Sequence, residues 1–238
     1  MEQDKVFLDG LKELNIELSN EQIAQFHKYY EMLVEKNKVM NLTAITEWEE
    51  VVHKHFLDSI AIIKTMDMSK SYRILDLGTG AGFPGIPLKI AFPQLEIVLL
   101  DSLNKRILFL QEVIDELGLK DITAIHGRAE DFAKRKEYRE TFDLCVSRAV
   151  ANLSSLTEYC LPYVKKGGVF VSYKSQTAVE EAKAAGKAIH VLGGKLEGII
   201  DFTLPGTDMT RCFVKVKKVL ETPKKYPRSA GKPTKEPL

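Results

Sequence analysis

The sequence predicts a Rossmann-like α/β fold: a seven-stranded sheet of five parallel units and a C-terminal antiparallel hairpin, preceded by a helical extension. Two observations predict it. From Tyr72 to Lys174, short apolar runs alternate with amphipathic segments, which is typical of parallel strands covered on both faces. Further on, Lys195–Leu204 and Met209–Val219 are joined by only four residues. Because four residues are too few for a crossover helix, these two runs predict a hairpin.

The individual elements follow from local patterns. The first 70 residues are predicted to be helical, and both Ser19 with Gln22 and Thr46 with Glu49 have the spacing of a capping box. In the sheet region, strands are predicted at Tyr72–Leu77, Glu96–Asp101, Ile122–His126, Phe142–Val146 and Val169–Lys174, with helices starting at Pro84, Asn104, Leu153 and Thr177.

Charge is distributed unevenly along the chain. Overall, 34 Lys and Arg residues nearly balance 33 Asp and Glu residues, but residues 211–238 carry nine basic against two acidic residues. Such a segment is either a solvated, partly disordered tail or an element that contacts phosphates, and charge alone leaves both open. Three prolines argue against regular structure in Glu221–Pro233. We divide the chain into a helical extension packed on the core (1–70), an α/β domain (71–220) and a basic tail (221–238).

Composition also bears on compartment and partners. The three cysteines form an odd set without CxxC spacing, which favours a reducing compartment. No apolar run approaches the roughly 20 residues that span a bilayer, and the polar start of the chain does not resemble a signal sequence. We therefore expect a cytoplasmic protein without a membrane partner, and the spacing of His, Cys and Asp predicts no metal site.

A cluster of glycines follows the first predicted strand. Glycine permits positive φ and close approach of backbone to a ligand, and helix-start N–H groups suit anions. The pattern from Gly80 to Gly85 matches G-x-G-x-x-G, which alone is weak support for a dinucleotide. The series begins earlier, however, at Gly78 after the strand that contains Asp76, and so resembles the first motif of seven-stranded S-adenosylmethionine-dependent methyltransferases. The hairpin and the lack of a second domain favour the same cofactor, with Gly78, Gly80 and Gly82 near it.

Other ligand contacts are expected at the carboxyl ends of the strands, where open α/β sheets bind ligands. Asp101 ends the second strand and can accept hydrogen bonds from ribose hydroxyls. Ala129 and Glu130 follow the third strand, near the adenine edge, and Arg148 in the segment Ser147–Val150 follows the fourth, beside the methyl donor and acceptor. Helix capping by Asp101 and Glu130, and a surface ion pair at Arg148, are the alternatives.

The acceptor is constrained by what the sequence lacks. Ser147–Val150 is not the Asn/Asp-Pro-Pro-aromatic motif of enzymes that methylate exocyclic amines, and Cys145 lies inside an apolar strand rather than in a nucleophile position. This favours an acceptor atom that is already nucleophilic, such as N7 of guanine, for which alignment is sufficient. A methyltransferase acting on a small molecule or protein, and a nicotinamide-dependent oxidoreductase or nucleotide sensor, remain alternatives.

Five motifs together resemble the bacterial glucose-inhibited division protein B family, and the resemblance extends from the N-terminal helices to the Tyr226-Pro227-Arg228 tail. The motifs are Asn41-Leu42-Thr43, His55-Phe56-Leu57-Asp58-Ser59, the extended glycine loop Asp76–Pro87, Arg128-Ala129-Glu130, and Ser147-Arg148-Ala149-Val150-Ala151. The Phe-Pro-Gly extension of the loop and the His-Phe-Leu-Asp-Ser segment are more specific than a generic glycine motif.

The resemblance implies an S-adenosylmethionine-dependent methyltransferase acting on a guanine N7 in the 530 loop of 16S rRNA. Carried over residue by residue, Gly78 and Phe83 contact the cofactor, Ala129 and Glu130 hold its adenosine, and Arg148 lies at the cofactor and guanine site.

The same resemblance places four side chains, Asn41, Thr43, His55 and Asp58, on the wall facing the methyl group, although a structural role for each is an equal alternative. Arg148, Asn41 and His55 form the expected catalytic set. The basic tail, with Arg228, Lys232 and Lys235, is where RNA phosphates are expected to bind. We expect a monomer that acts on 16S rRNA or on a small-subunit particle.

Overall fold

The computed structural model describes residues 2–148, 151–175 and 177–238 and contains a seven-stranded sheet. Its strands are β1 (Arg73–Leu77), β2 (Glu96–Asp101), β3 (Ile122–His126), β4 (Phe142–Arg148), β5 (Val164–Lys174), β6 (Gly194–Thr203) and β7 (Thr210–Lys218). They lie in the order β3-β2-β1-β4-β5-β7-β6. The first five pair in parallel, and β7 runs antiparallel to both β5 and β6. The predicted α/β class with its closing hairpin is confirmed.

Eleven α-helical segments are found in the described residues, together with a π-helical segment (Val52–Leu57) and two 3-10 turns (Ala61–Lys64 and Leu161–Tyr163). They are α1 (Glu2–Glu13), α2 (Asn20–Met40), α3 (Trp48–Val51), α4 (Asp58–Ile60), α5 (Gly85–Ala91), α6 (Asn104–Glu116), α7 (Ala129–Phe132), α8 (Leu153–Cys160), α9 (Ala178–Ala184), α10 (Gly186–Val191) and α11 (Lys232–Lys235). None of the helices described is long and apolar enough to cross a membrane.

The two faces of the sheet are buried by different parts of the chain. Along β2, Leu99 belongs to an apolar cluster that includes Phe26 and Phe56 from the N-terminal helical region. Its neighbour Leu100 belongs to a second cluster, which includes Leu156 of α8. Successive strand residues point to opposite faces. The N-terminal helices therefore cover one face and share a core with the sheet, while the division at residue 70 stays a prediction.

Local predictions had mixed outcomes. The capping box at the start of α2 is confirmed, because Ser19 Oγ accepts from Gln22 N–H and the Gln22 side chain accepts from Ser19 N–H at 2.8 Å. The one predicted at Thr46 is wrong: Glu47 is the N-cap of α3, with no side-chain cap. β4 is two residues longer than predicted, so Ser147 and Arg148 end the strand rather than follow it. Their pairing with β5 explains the extension.

The C-terminal tail is folded onto the α/β domain. The Arg139 guanidinium donates to the carbonyl oxygens of Thr222, at 2.8 Å, and Tyr226, at 3.0 Å. The tail ends in α11, where Pro233 occupies the first turn and so does not interrupt a hydrogen bond. The expectation that Glu221–Pro233 contains no regular structure is therefore wrong at its end.

Candidate active site

A cavity of about 870 Å³ opens at the carboxyl ends of β1 to β4. The glycine loop lines it with residues 78–81 and Phe83. One end, which we call the His55 end, is lined by Leu42, Thr43, His55, Phe83 and Arg148. The opposite end, the Glu130 end, is lined by Gly127–Glu130, Tyr159 and tail residues Ala230, Gly231, Thr234 and Lys235. The predicted position of the ligand site is thus occupied by a cavity.

The buried carboxylate of Asp76 holds the glycine loop in shape. Its Oδ2 accepts hydrogen bonds from Thr79 Oγ1, at 2.7 Å, and from Gly85 N–H, at 2.8 Å. Burial raises the pKa of Asp76 to about 6, and the Thr79 and Gly85 bonds oppose that shift. Position 85 also requires a glycine, because a Cβ there would lie 2.2 Å from a Leu99 methyl carbon. The acidic residue of the motif therefore ties the loop to the following helix and does not line the cavity.

The three other glycines of the loop have different surroundings. All have positive φ, 72° at Gly78, 63° at Gly80 and 109° at Gly82. Gly78 and Gly80 line the cavity, and a Cβ on Gly80 would meet no atom within 4 Å. A Cβ on Gly82 would instead lie within 3 Å of Tyr29, Ile86 and Leu110. Gly82 thus permits packing against the N-terminal helices and is outside the cavity lining.

Asp101, at the end of β2, connects the loop to α6. Its Oδ1 accepts from Leu103 N–H at 2.9 Å, while Oδ2 accepts from Gly80 N–H at 3.0 Å and from Arg106 Nη1 at 3.2 Å. A carboxylate has about four acceptor positions. One position remains for a ligand hydroxyl, and a second becomes available if Arg106 turns away. Asp101 lines the cavity, and the alternative that it caps α6 is wrong, because the N-cap is Leu103 and has no side-chain cap.

At the Glu130 end, the tail and the start of α7 meet. Glu130 is 6% exposed, and its Oε1 accepts a hydrogen bond from Gly231 N–H at 2.8 Å. The Tyr159 hydroxyl lies 2.7 Å from Thr234 Oγ1. Ala129 lines the cavity beside them. This end therefore combines the predicted adenosine residues with a segment about 100 residues away in the chain.

At the His55 end, Arg148 is the central side chain. Its Nη1 donates to Asp58 Oδ2 and to the Lys54 carbonyl oxygen, both at 2.9 Å, and its Nη2 lies 3.1 Å from His55 Nδ1. The guanidinium carbon is 5.1 Å from the centre of the Phe83 ring, within the range of a cation–π contact. Arg148 is thus a partly buried cation held by several partners, with its side chain 17% exposed, rather than a surface ion-pair partner.

The contacts of His55 define its protonation. Burial, and next the charge of Arg148, lower its pKa to about 3, so the ring is neutral at pH 7. Nδ1 is close both to Arg148 Nη2 and to the Lys54 carbonyl oxygen, at 3.0 Å. Arginine has only donors and a carbonyl oxygen only accepts, so these two contacts favour opposite tautomers of the neutral ring. The other ring nitrogen, Nε2, lies 3.0 Å from Thr43 Oγ1.

The His55 ring also stacks on Phe83, with ring centres 4.4 Å apart and planes inclined by 24°. Thr43 Oγ1 additionally accepts from Ile45 N–H at 3.0 Å. The Thr43 hydroxyl therefore joins His55 to the backbone that follows α2. The His55 end presents an aromatic surface, a fixed cation and one hydroxyl group.

Other predicted residues lie elsewhere. Asn41 is exposed and ends α2 in the left-handed conformation, with φ 48°, next to the cavity-lining Leu42. Arg228 forms an ion pair with the buried Glu158 through Nη2 and Oε2 at 2.6 Å. Lys235 lines the cavity, whereas Lys232 is exposed and outside the lining. Ala149 and Val150 of the predicted acceptor motif lie outside the described residues. Within the residues described, His, Cys, Asp and Glu form no group of three that could hold a metal ion.

Sequence reasoning missed several cavity residues. Arg106, five residues after Asp101, was identifiable as a first-turn residue of α6 on the same edge of the sheet. Tyr159 and the tail residues Gly231 and Thr234 had no such signal, because only the folded chain brings α8 and the tail to β3.

Comparison with known proteins points to one family. Residues 22–206 match the GidB family, described as "rRNA small subunit methyltransferase G". A protein of this name from Lachnoclostridium phytofermentans is 56% identical over 238 residues, covering 100% of this chain and 98% of the relative. Another, from Bacillus velezensis, is 50% identical over 232 residues, covering 98% of this chain and 97% of the relative.

Solved structures add a likeness of fold. A SAM dependent methyltransferase from Aquifex aeolicus superposes with a TM-score of 0.54 at 16% identity, covering 71% of this chain and 93% of the other. At this identity the likeness concerns the fold alone. It agrees with the predicted seven-stranded methyltransferase sheet.

Proposed function

The chain belongs to the GidB family, and we propose that it transfers the methyl group of S-adenosylmethionine to N7 of a guanine in the 530 loop of 16S rRNA. The observation that carries the acceptor assignment is the chemistry of the His55 end. Its one histidine is neutral, with Nδ1 and Nε2 both hydrogen-bonded. In the described part of the chain, no cysteine lines the cavity. An acceptor that needs neither a base nor a thiol fits this end.

The cavity residues fit the cofactor. Open space beside Gly80, a remaining acceptor position on Asp101 and the carboxylate of Glu130 lie along one cavity, as an adenosine with an amino-acid arm requires. When bound, S-adenosylmethionine supplies a methyl carbon activated by a sulfonium. We propose that Gly78, Gly80 and Phe83 contact it from the loop, that Asp101 accepts from the ribose, and that Ala129 and Glu130 hold the adenine. Gly82 contributes indirectly, because it lets the loop pack closely against Tyr29 outside the cavity lining.

The N7 atom of guanine carries a lone pair that is unprotonated at neutral pH, so the protein has only to align it and to exclude water. We propose that Arg148 orients the base, because Asp58 and the Lys54 carbonyl oxygen hold its guanidinium in one place. His55 and Phe83 offer an aromatic surface against which a purine can pack, and base stacking contributes about 1–3 kcal/mol. We propose that Asn41, which is exposed and precedes the cavity-lining Leu42, contacts RNA outside the cavity.

The phosphates of the RNA strand require cations at or near the cavity. We propose that Lys232 and Lys235 contact phosphates that flank the target guanine, while Arg228 positions the tail through Glu158. One chain supplies the N-terminal, central and C-terminal residues of the cavity, which supports action as a monomer. An rRNA substrate, free or in an assembling small subunit, would place the reaction in the cytoplasm.

The test is to incubate the purified protein with S-adenosylmethionine and 16S rRNA from cells that lack the gene. N7-methylguanine is then mapped by borohydride reduction and aniline cleavage. One new cleavage site in the 530 loop is expected. Methyl groups found on an exocyclic amine or on C5 of a pyrimidine would contradict the proposal. Calorimetry with NAD provides a control, since an oxidoreductase would bind NAD more tightly than S-adenosylmethionine.

A further inference from the structure

Residues 230–235 of the C-terminal tail, which we call the C-terminal wall, include four that line the Glu130 end of the cavity: Ala230, Gly231, Thr234 and Lys235. We propose that this wall is part of the S-adenosylmethionine site, that it closes the site beside the adenosine, and that cofactor binding and docking of the wall stabilise each other. This inference rests on the proposed function. It gives the basic tail a role in cofactor binding besides RNA binding.

The wall is held in place by one face of α8. Arg228 donates to both oxygens of the Glu158 carboxylate, from Nε to Oε1 at 2.9 Å and from Nη2 to Oε2 at 2.6 Å. The Glu158 side chain has no exposed surface. A buried carboxylate without its partner is strongly unfavourable, so this pair selects the docked position of the tail.

Two further contacts come from the same helix face. Ser155 Oγ donates to the Pro233 carbonyl oxygen at 2.8 Å, and the Tyr159 hydroxyl lies 2.7 Å from Thr234 Oγ1. Positions 155, 158 and 159 are three and four residues apart, the spacing of one helical face. The helix therefore fixes the wall at several successive points, before and within α11.

The wall directly contacts a residue proposed to bind adenosine. Gly231 N–H donates to Glu130 Oε1 at 2.8 Å. Gly231 has φ 77°, a conformation that glycine adopts readily, and this directs its amide to the carboxylate. The bond uses Oε1 and leaves Oε2 to accept from a ligand. Docking of the wall thus orients the carboxylate that the adenosine half of the cofactor requires.

Coupling follows from this shared carboxylate. If the docked wall improves cofactor affinity, then bound cofactor must stabilise the docked wall by the same free energy. The cavity lining by Thr234 and Lys235 also removes bound cofactor from solvent at this end. A tail that only binds RNA would show neither effect.

The first test compares wild type with a chain that ends at Ser229. This truncation removes the wall but keeps Arg228 and its pair with Glu158, so the buried charge stays compensated. We expect the Kd of S-adenosylmethionine and of S-adenosylhomocysteine, measured by calorimetry, to rise at least about tenfold. The control is Lys224→Ala, which removes an exposed tail charge outside both the wall and the cavity lining and should leave Kd within about twofold.

The second test uses intact wild type and so does not depend on folding of a variant. Amide hydrogen exchange of the peptide spanning residues 229–238 should slow when S-adenosylmethionine is added, because Gly231 N–H is held more of the time. Unchanged exchange in this peptide would contradict the proposed role of the wall in cofactor binding. A folded truncation that binds the cofactor as wild type does would contradict it too. Either result would leave the methyltransferase assignment intact. Wild type that binds NAD rather than S-adenosylmethionine would overturn both.

Discussion

Arg148 Nη2 lies 3.1 Å from His55 Nδ1, so a permanent cation adjoins the one histidine of the cavity lining. Burial, and next the charge of Arg148, lowers the pKa of His55 to about 3. The residue expected to be the most versatile acid or base in the site is therefore a neutral ring that positions its neighbours. We therefore expect chemistry at this end to depend on shape and charge rather than on proton transfer.

Arg148→Lys should lower the methylation rate, kcat/KM, by about 100-fold or more, because a lysine cannot bridge Asp58, the Lys54 carbonyl oxygen and His55 at once. Single-turnover methylation of 16S rRNA measures the loss. The matched control is Arg211→Lys, since Arg211 also faces Asp58, at 3.6 Å, but is outside the cavity lining. An equal rate for the two variants would contradict the proposal that Arg148 orients the base.

His55 should make stability dependent on pH in a defined direction. Its pKa is about 3 in the folded chain and near 6.5 when unfolded, so between these values the unfolded chain binds more protons. Stability due to neutral His55 is therefore complete above pH 6.5 and is lost as pH falls towards 3, by up to about 1.4 kcal/mol per pH unit.

Burial raises the pKa of Asp76 to about 6, and Asp76 opposes this trend below pH 6 because the folded chain binds its proton more readily. The measurement is thus the difference in unfolding free energy between wild type and His55→Gln in urea, from pH 7.5 to 5. Asp76 is common to both chains. Wild type should lose stability relative to the variant as pH falls, and a constant difference would contradict a neutral His55.

Two glycine substitutions should separate binding from folding. Gly80→Ala places a methyl group in open cavity space, so S-adenosylmethionine affinity should fall while the left-handed φ costs roughly 1–2 kcal/mol of stability. Gly82→Ala should lower Tm more, because its Cβ would lie within 3 Å of Tyr29, Ile86 and Leu110. Calorimetry and thermal melts measure the two effects. A reversed order would mean that the cavity side of the loop is misassigned.

Removing two basic side chains, in Lys232→Ala/Lys235→Ala, should weaken RNA binding in a salt-dependent way. With about 0.7 counterions released per single-strand contact, the slope of log K against log salt should become shallower by about 1.4. Filter binding at saturating S-adenosylhomocysteine checks this. Lys224→Ala/Lys225→Ala is the control, because it removes the same charge from the tail outside residues 230–235. Equal slopes for both double variants would mean that the two lysines of the wall make no specific contact with RNA.

Arg228→Met should destabilise the fold by about 3 kcal/mol, because it leaves the fully buried Glu158 carboxylate without its partner. Urea unfolding measures the loss. Adding Glu158→Gln to this variant should restore part of the stability, since the uncompensated charge is then removed. If the single variant unfolds like wild type, Arg228 is free to act on RNA, as the sequence alone predicted.

Much of the fold was predictable because its signals are local. The parallel strands, the hairpin, the capping box at Ser19 and the glycine loop after Asp76 each depend on patterns within about ten residues. The motifs of the GidB family were also contiguous, and the family resemblance is confirmed. The cofactor, and the edge of the sheet at which the cavity lies, followed from these patterns.

The tertiary structure decided what those residues do. The neutral state of His55 depends on its burial and on the charge of Arg148, 93 residues away, and the docking of Arg228 depends on Glu158, 70 residues away. Sequence could not distinguish Gly82, which packs against Tyr29, from Gly80, which faces the cavity. Hydrogen bonds, burial and charge act through space, whereas periodicity and capping act along the chain. The fold class was therefore readable from the sequence, while the protonation, packing and enclosure of the site were not.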